Sequence, residues 1–140
     1  MVLTKGQAEA QASTDQGGSD KLLSTSADAF EHLAAVMQII AEAVPARCST
    51  RQVLAFCIIV YANAKGQSVT LSQVRETAGE GLGQSIEKTI QMFFAPSKQQ
   101  PDALGWLEQE VDEDDRRKKY LKLTARGRHV ANEITRALAD

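Results

Sequence analysis

The densest chemistry in this 140-residue chain lies at Asp112-Glu113-Asp114-Asp115-Arg116-Arg117-Lys118-Lys119, where four acids give way without a break to four bases. Adjacent cations of this kind hold phosphate or another polyanion, and nearby carboxylates orient them through charge-assisted hydrogen bonds. A second polar set, Gln84, Ser85, Glu87, Lys88 and Gln91, is interleaved with Ile86, Ile90 and Phe93. That spacing gathers amide, hydroxyl and charged groups on one face of a helix whose other face is apolar. Constellations for catalysis are missing. The chain has no Gly-x-Ser-x-Gly, no phosphate-cradling glycine loop followed by Lys-Ser/Thr and no activated Cys/His signature, so no enzyme is expected. His32 and His129 have no partners at metal-ligand spacing, so neither a metal nor another cofactor is implied. Of two cysteines, Cys57 falls in an apolar run and is expected to be a buried, inert thiol. Cys48, beside Arg47 and just before a helix start, is the only thiol with a neighbouring charge able to lower its pKa, and no redox role is assigned to it.

These groups must be positioned by a small number of elements. A chain of 15.2 kDa with 43% hydrophobic and 24% charged residues supports one core, and no apolar run reaches the roughly 20 residues of a membrane span. The beginning of the chain lacks the apolar segment of a secretory signal, so a cytoplasmic location is expected. Net charge is −2, but Met1 to Pro45 carries −4, leaving +2 for the rest. Residues 1–25, rich in Gln, Ala, Ser, Thr and Gly, are expected to form a disordered polar arm.

From Asp28 the stripe Phe30, Leu33, Ala34, Met37, Ile40, Ala41 and Val44 predicts an amphipathic helix that buries this face and stops at Pro45. Ser49 and Gln52 form a capping-box pattern that opens a second helix, apolar nearly all round, with Val53, Phe56, Cys57, Val60 and Ala64 on one stripe. After a short extended Ser68-Val69-Thr70, Thr70 and Gln73 repeat the capping box and start a brief helix carrying Leu71, Val74 and Ala78 inward. Gly79, Gly81 and Gly83 allow a sharp turn into a longer helix, with Ile86, Ile90 and Phe93 buried. The segments flanking the charged run, with Leu107 and Val111 answered by Leu121 and Leu123, predict a β-hairpin with a charged tip. Thr124 then caps a final helix carrying Val130, Ala131, Ile134, Ala137 and Leu138.

This order of elements is that of a winged helix-turn-helix domain, and the hairpin residues are more specific. Leu104-Gly105-Trp106-Leu107, Asp115-Arg116-Arg117 and Leu123-Thr124-Ala125-Arg126-Gly127 resemble the wing of MarR-family transcription regulators, with the likeness running from about Asp28 to Ala139. The resemblance implies a mainly α fold with a small β-hairpin, a winged helix-turn-helix over residues 26–140, with helices at both ends that pair two copies. It implies a cytoplasmic homodimer that binds double-stranded DNA in a sequence-specific manner, regulates transcription as a repressor and has room for a small-molecule effector. Gln84, Ser85, Glu87, Lys88 and Gln91 would then face the major groove, where Gln reads adenine, Lys reads guanine or phosphate and Glu accepts from cytosine. In the hairpin, Arg117 would enter the narrow minor groove with Asp115 fixing its direction, while Arg116, Lys118 and Lys119 meet phosphates. Glu87 departs from the usual polar or basic residue at its position, and Pro96 to Ala103 reads as extra loop. Two alternatives remain open at this level: a protein-interaction module, for which the acids would face a basic partner, and a plasmid or phage replication or partition protein binding iterated DNA sites.

Overall fold

The computed structural model describes residues 16–83 and 85–139, with side chains from Lys21 onward. This part is mainly helical with one two-stranded antiparallel sheet. Helices α1 (Gln16–Thr25), α2 (Ala27–Ala43), α3 (Thr50–Ala64) and α4 (Leu71–Ala78) come first. A 3-10 turn over Gly79–Leu82 leads to α5 (Ile86–Thr89), which tightens into a second 3-10 turn, Ile90–Phe93. Strands β1 (Leu107–Val111) and β2 (Lys119–Leu123) precede α6 (Ala125–Ala139).

Both capping boxes form. Ser49 Oγ accepts from the Gln52 amide at 3.2 Å while Gln52 Oε1 accepts from the Ser49 amide at 2.7 Å. Thr70 and Gln73 reciprocate at 3.3 and 2.9 Å. Each box satisfies two amides that a helix start leaves without an internal partner. Gly79 and Gly83, at φ +63° and +74°, bracket the turn between α4 and α5 in a region that L side chains avoid.

The centre is aromatic. Phe56 of α3, Phe93 and Trp106 are at most 4% exposed, with ring centroids 5.0 to 5.7 Å apart. Backbone bonds run alongside the rings: Leu104 to Met92 (2.8 Å), Gly105 to Phe94 (2.9 Å) and Trp106 to Phe93 (2.7 Å), each amide donating to the carbonyl named second. The start of the hairpin is thereby laced to the end of the α5 segment. At its other end Thr124 donates its amide to the Trp106 carbonyl at 3.0 Å and its hydroxyl to the Gly105 carbonyl at 2.6 Å, and it accepts from the Gly127 amide at 3.1 Å. One threonine caps α6 and closes the hairpin base.

In several places the structure departs from the sequence-based expectation. Of the expected disordered arm, residues 1–15 lie outside the described residues, whereas Gln16–Thr25 is helical. It continues from α2 through Ser26, whose amide reaches the Leu22 carbonyl at 3.0 Å, and adding turns to an existing helix avoids the nucleation penalty. Helix α2 buries only part of the predicted stripe, Ile40 with Val44 half-buried. Val36 and Ile40 point inward and α2 lies along α6, while Phe30, Leu33 and Met37 are 57%, 50% and 45% exposed and Ala34 and Ala41 are exposed as well. Among the described residues only one side of α2 has an element to cover it.

Helix α3 is rotated from expectation. Its buried residues are Gln52, Ala55, Phe56, Ile59 and Ala62, so Cys57 faces outward and is exposed rather than buried. Small Ala55 and Ala62 let neighbouring elements approach, which outweighs the larger residues of the predicted stripe. Val111 lies at the far end of the hairpin, 49% exposed, while Leu107, Leu121 and Leu123 are buried. Ser68-Val69-Thr70 forms no strand, although the Leu121 amide donates to the Val69 carbonyl at 2.8 Å. The longer helix expected after the glycine turn is one α turn followed by 3-10, because the Gln52 side-chain amide takes the Thr89 carbonyl at 2.8 Å where the α-helix would continue.

Gly127 explains the last residue of the Leu123 to Gly127 motif. A Cβ at this position would stand 2.1 Å from the Trp106 carbonyl oxygen. Gly127→Ala must therefore push α6 away from the hairpin base, and overpacking of this kind costs about 1–3 kcal/mol. The expected result is a lower urea midpoint with an unchanged denaturant slope.

Candidate nucleic-acid interface

The face of the α5 segment and the tip of the hairpin meet across a cleft. It has a volume of about 500 Å³ and is lined by Glu87 and Gln91 on one side, Arg117, Lys118 and Lys119 on the other, and Thr70, Leu71 and Ser72 at the start of α4. Five residues singled out from the sequence thus share one concavity. Ser85, Lys88 and Arg116 are exposed and Asp115 half-buried, but none of them lines it. The side chain of Gln84 lies outside the described residues.

Burial of Ile86, Ile90 and Phe93 turns Ser85, Glu87, Lys88 and Gln91 to solvent, since residues one or two positions from a buried one point elsewhere on the helix. Glu87 does not stand free. Arg75 of α4 reaches its Oε1 with Nη1 at 3.0 Å, an ion pair that sequence spacing did not suggest. Gln91 donates to the Glu87 carbonyl at 3.4 Å, one turn along. Two further polar residues hold the frame. Gln52, 4% exposed, bridges the start of α3 to Thr89, and Asn63 donates to the Leu121 carbonyl at 3.2 Å while accepting from the Leu123 amide at 3.2 Å. Their signal in the sequence is a polar side chain within an apolar helix, which a buried backbone partner must satisfy.

Acids build the hairpin tip that carries the bases. Asp112 Oδ1 accepts from the amides of Asp114 (2.8 Å) and Asp115 (3.1 Å), and Oδ2 accepts from the Tyr120 hydroxyl at 2.5 Å. Asp112 and Lys118, and Lys118 and Asp115, close the turn by backbone bonds of 3.0 Å each. Asp115 Oδ1 then accepts from the Arg117 amide at 3.0 Å, with the Arg117 Nε at 3.5 Å. Arg117 is 94% exposed, so its guanidinium projects from a tied base. The Tyr120 hydroxyl, helped by the two backbone amides, holds the Asp112 carboxyl below its ordinary value, and the same bond raises the Tyr120 phenol.

The charge of Arg47 does not make Cys48 a low-pKa thiol. Desolvation pushes its pKa up and outweighs the Arg47 charge, and Arg47 is engaged by Asp102 of the Pro96 to Ala103 loop, with Nη2 2.8 Å from Oδ1. That extra loop is therefore tied to the connection between α2 and α3. Among the described residues no helix is long and apolar enough to cross a membrane. No family model, curated protein or solved structure matches the chain.

A lowered folded pKa for Asp112 contributes stability above the ordinary carboxyl value of about 3.9, lost as pH falls through the lowered value; the raised Tyr120 contributes below about 10, lost as pH rises through its own folded value. In Tyr120→Phe the largest of the causes acting on Asp112 is gone. Carbon-detected NMR titration should show the Asp112 carboxyl moving up toward its ordinary range.

Proposed function

We propose that this chain is a winged helix-turn-helix protein that binds duplex DNA as a homodimer and represses transcription from the sites it occupies. The observation that carries the reading is the shared cleft: the polar side of the α5 segment lies next to three consecutive cations on the end of a β-hairpin. A helix reading the major groove beside a ribbon reaching the minor groove needs that juxtaposition. Arg117 is the minor-groove residue in this reading, because it is the exposed, planar cation whose backbone amide is held by Asp115, with its Nε 3.5 Å from the same carboxylate. Arg116, Lys118 and Lys119 meet phosphates, and Gln84, Ser85, Lys88 and Gln91 present hydrogen-bonding groups to base edges. Arg75 compensates Glu87, which removes the repulsion that an unpaired acid would bring to a polyanion.

The pairing of two copies is supported by the apolar face left uncovered on α1 and α2. Leu22, Leu23, Phe30, Leu33 and Met37 are all at least 45% exposed, and an aggregate of large apolar side chains of this extent marks an interaction surface. A twofold pair would hold two reading heads about one helical turn, roughly 34 Å, apart on the duplex.

The deciding experiment is enrichment of bound duplexes from a random pool at two salt concentrations, with recovery of an inverted repeat as the expected result and no enriched sequence as the result that discards the reading. On the enriched site, Arg117→Ala should lose about 1–3 kcal/mol of binding, whereas Lys119→Ala should weaken all duplexes alike and flatten the salt dependence by about one unit. Sedimentation equilibrium should give a dimer for the wild type and a monomer for Phe30→Asp, in which a charge occupies the uncovered face.

A further inference from the structure

The pair between α4 and α5 has a geometry that goes beyond charge compensation. Arg75 follows Val74, which is fully buried, so its backbone belongs to the packed core while its guanidinium extends to the surface. Its Nε is buried and has no hydrogen-bond partner among the described residues, and its Nη1 forms an ion pair with Glu87. Glu87 is the more exposed partner, 66% against 35%, and it lines the cleft next to Gln91 and the cationic tip. The pair approaches to 3.0 Å, Arg75 Nη1 to Glu87 Oε1. A carboxylate offers about four acceptor positions, so this ion pair leaves room on Glu87 for a further donor.

We infer that Arg75 is a positioning residue that fixes Glu87 so that its second carboxylate oxygen accepts a hydrogen bond from the exocyclic amino group of cytosine in the major groove. The inference rests on the DNA-binding reading above and names one base that this reading leaves unspecified. Three physical features support it. A carboxylate has no donor, so among the major-groove edges it is matched by amino groups, and the cytosine N4 amine is its customary partner. A free glutamate in this place would be driven off by phosphate charge and would spread over several rotamers, whereas one paired with a half-buried arginine of the neighbouring helix carries no net charge with its partner and is drawn toward one side before the duplex arrives. The arginine comes from a different helix, so the placement of the carboxylate depends on how α4 and the α5 segment are each seated on the core, through Val74 and Ile86.

The test is base preference, which a purely structural or purely electrostatic role would not move. Wild type, Arg75→Ala, Arg75→Lys and Glu87→Gln are each taken through enrichment from the same random duplex pool, with thermal melting to verify that the variants are folded. The expected result is a cytosine at one position of each half-site for the wild type, favoured about tenfold or more. Glu87→Gln and Arg75→Ala should both lose that preference to within about twofold while keeping the rest of the recovered site, and Arg75→Lys, which keeps a cation within reach of the carboxylate, should retain it. The inference is overturned if Arg75→Ala enriches the wild-type site with its cytosine intact and loses only overall affinity and about one unit of salt dependence, since Arg75 would then be a phosphate contact. It is equally overturned if Glu87→Gln leaves every position unchanged. A wild type that enriches no sequence removes the DNA-binding reading itself, an outcome distinct from either of these.

Discussion

Trp106 is the hinge of the structure. Its ring packs against Phe56 and Phe93, its amide is bonded to the Phe93 carbonyl, and its own carbonyl accepts from Thr124 while lying against Gly127. Through this residue the central helix, the end of the α5 segment, both strands and the last helix are referred to one rigid point. Neither half of the cleft is large enough to be stable alone: α5 is a single turn and the sheet has only two strands. Their relative placement is a property of the aromatic centre, and removal of a buried aromatic side chain of this size typically costs about 3–5 kcal/mol.

On this frame the electrostatic design is local. Acids outnumber bases in the whole chain, yet Asp112 and Asp115 spend their oxygens on backbone amides, a phenol and Arg117 within the hairpin. Glu87 is likewise matched by Arg75. Arg116, Lys118 and Lys119 are left exposed beside Arg117, so the cations are gathered on the β2 side of the tip, while over residues 107–123 six acids and five bases nearly cancel. An acid in a binding surface is thus not necessarily opposed to an anionic partner; its effect depends on which donor already holds it.

Helix α2 illustrates how amphipathicity can be read correctly and located wrongly. The periodic stripe from Phe30 to Val44 exists, but the body of the same chain, with α6 alongside α2, covers only its Ile40 and the adjacent Val36. Periodicity reports that a face will leave water; it contains no information on whether the cover comes from the same chain. The rotation of α3 has a similar origin. Predicted burial favoured bulky residues such as Val60, while the fold chose Ala55, Ile59 and Ala62, because close approach of neighbouring helices and β2 needs small side chains at the contact.

The amino-acid sequence by itself determined the features that depend on near neighbours: the two capping boxes, the helix boundary before Pro45, the glycine turn, the hairpin and its charged tip, and the inward set Ile86, Ile90 and Phe93. Each follows from backbone geometry or from residues within about one helical turn or across one tight connection. Tertiary structure alone decided the rest. The Arg75 to Glu87 pair, the Gln52 and Asn63 bridges, the outward Cys57, the Arg47 to Asp102 tie and the choice of which residues share the cleft all join positions far apart in the chain. Such contacts depend on helix rotation and on the distance between packed elements, and these are set by how the whole core fills its volume rather than by any local run of residues.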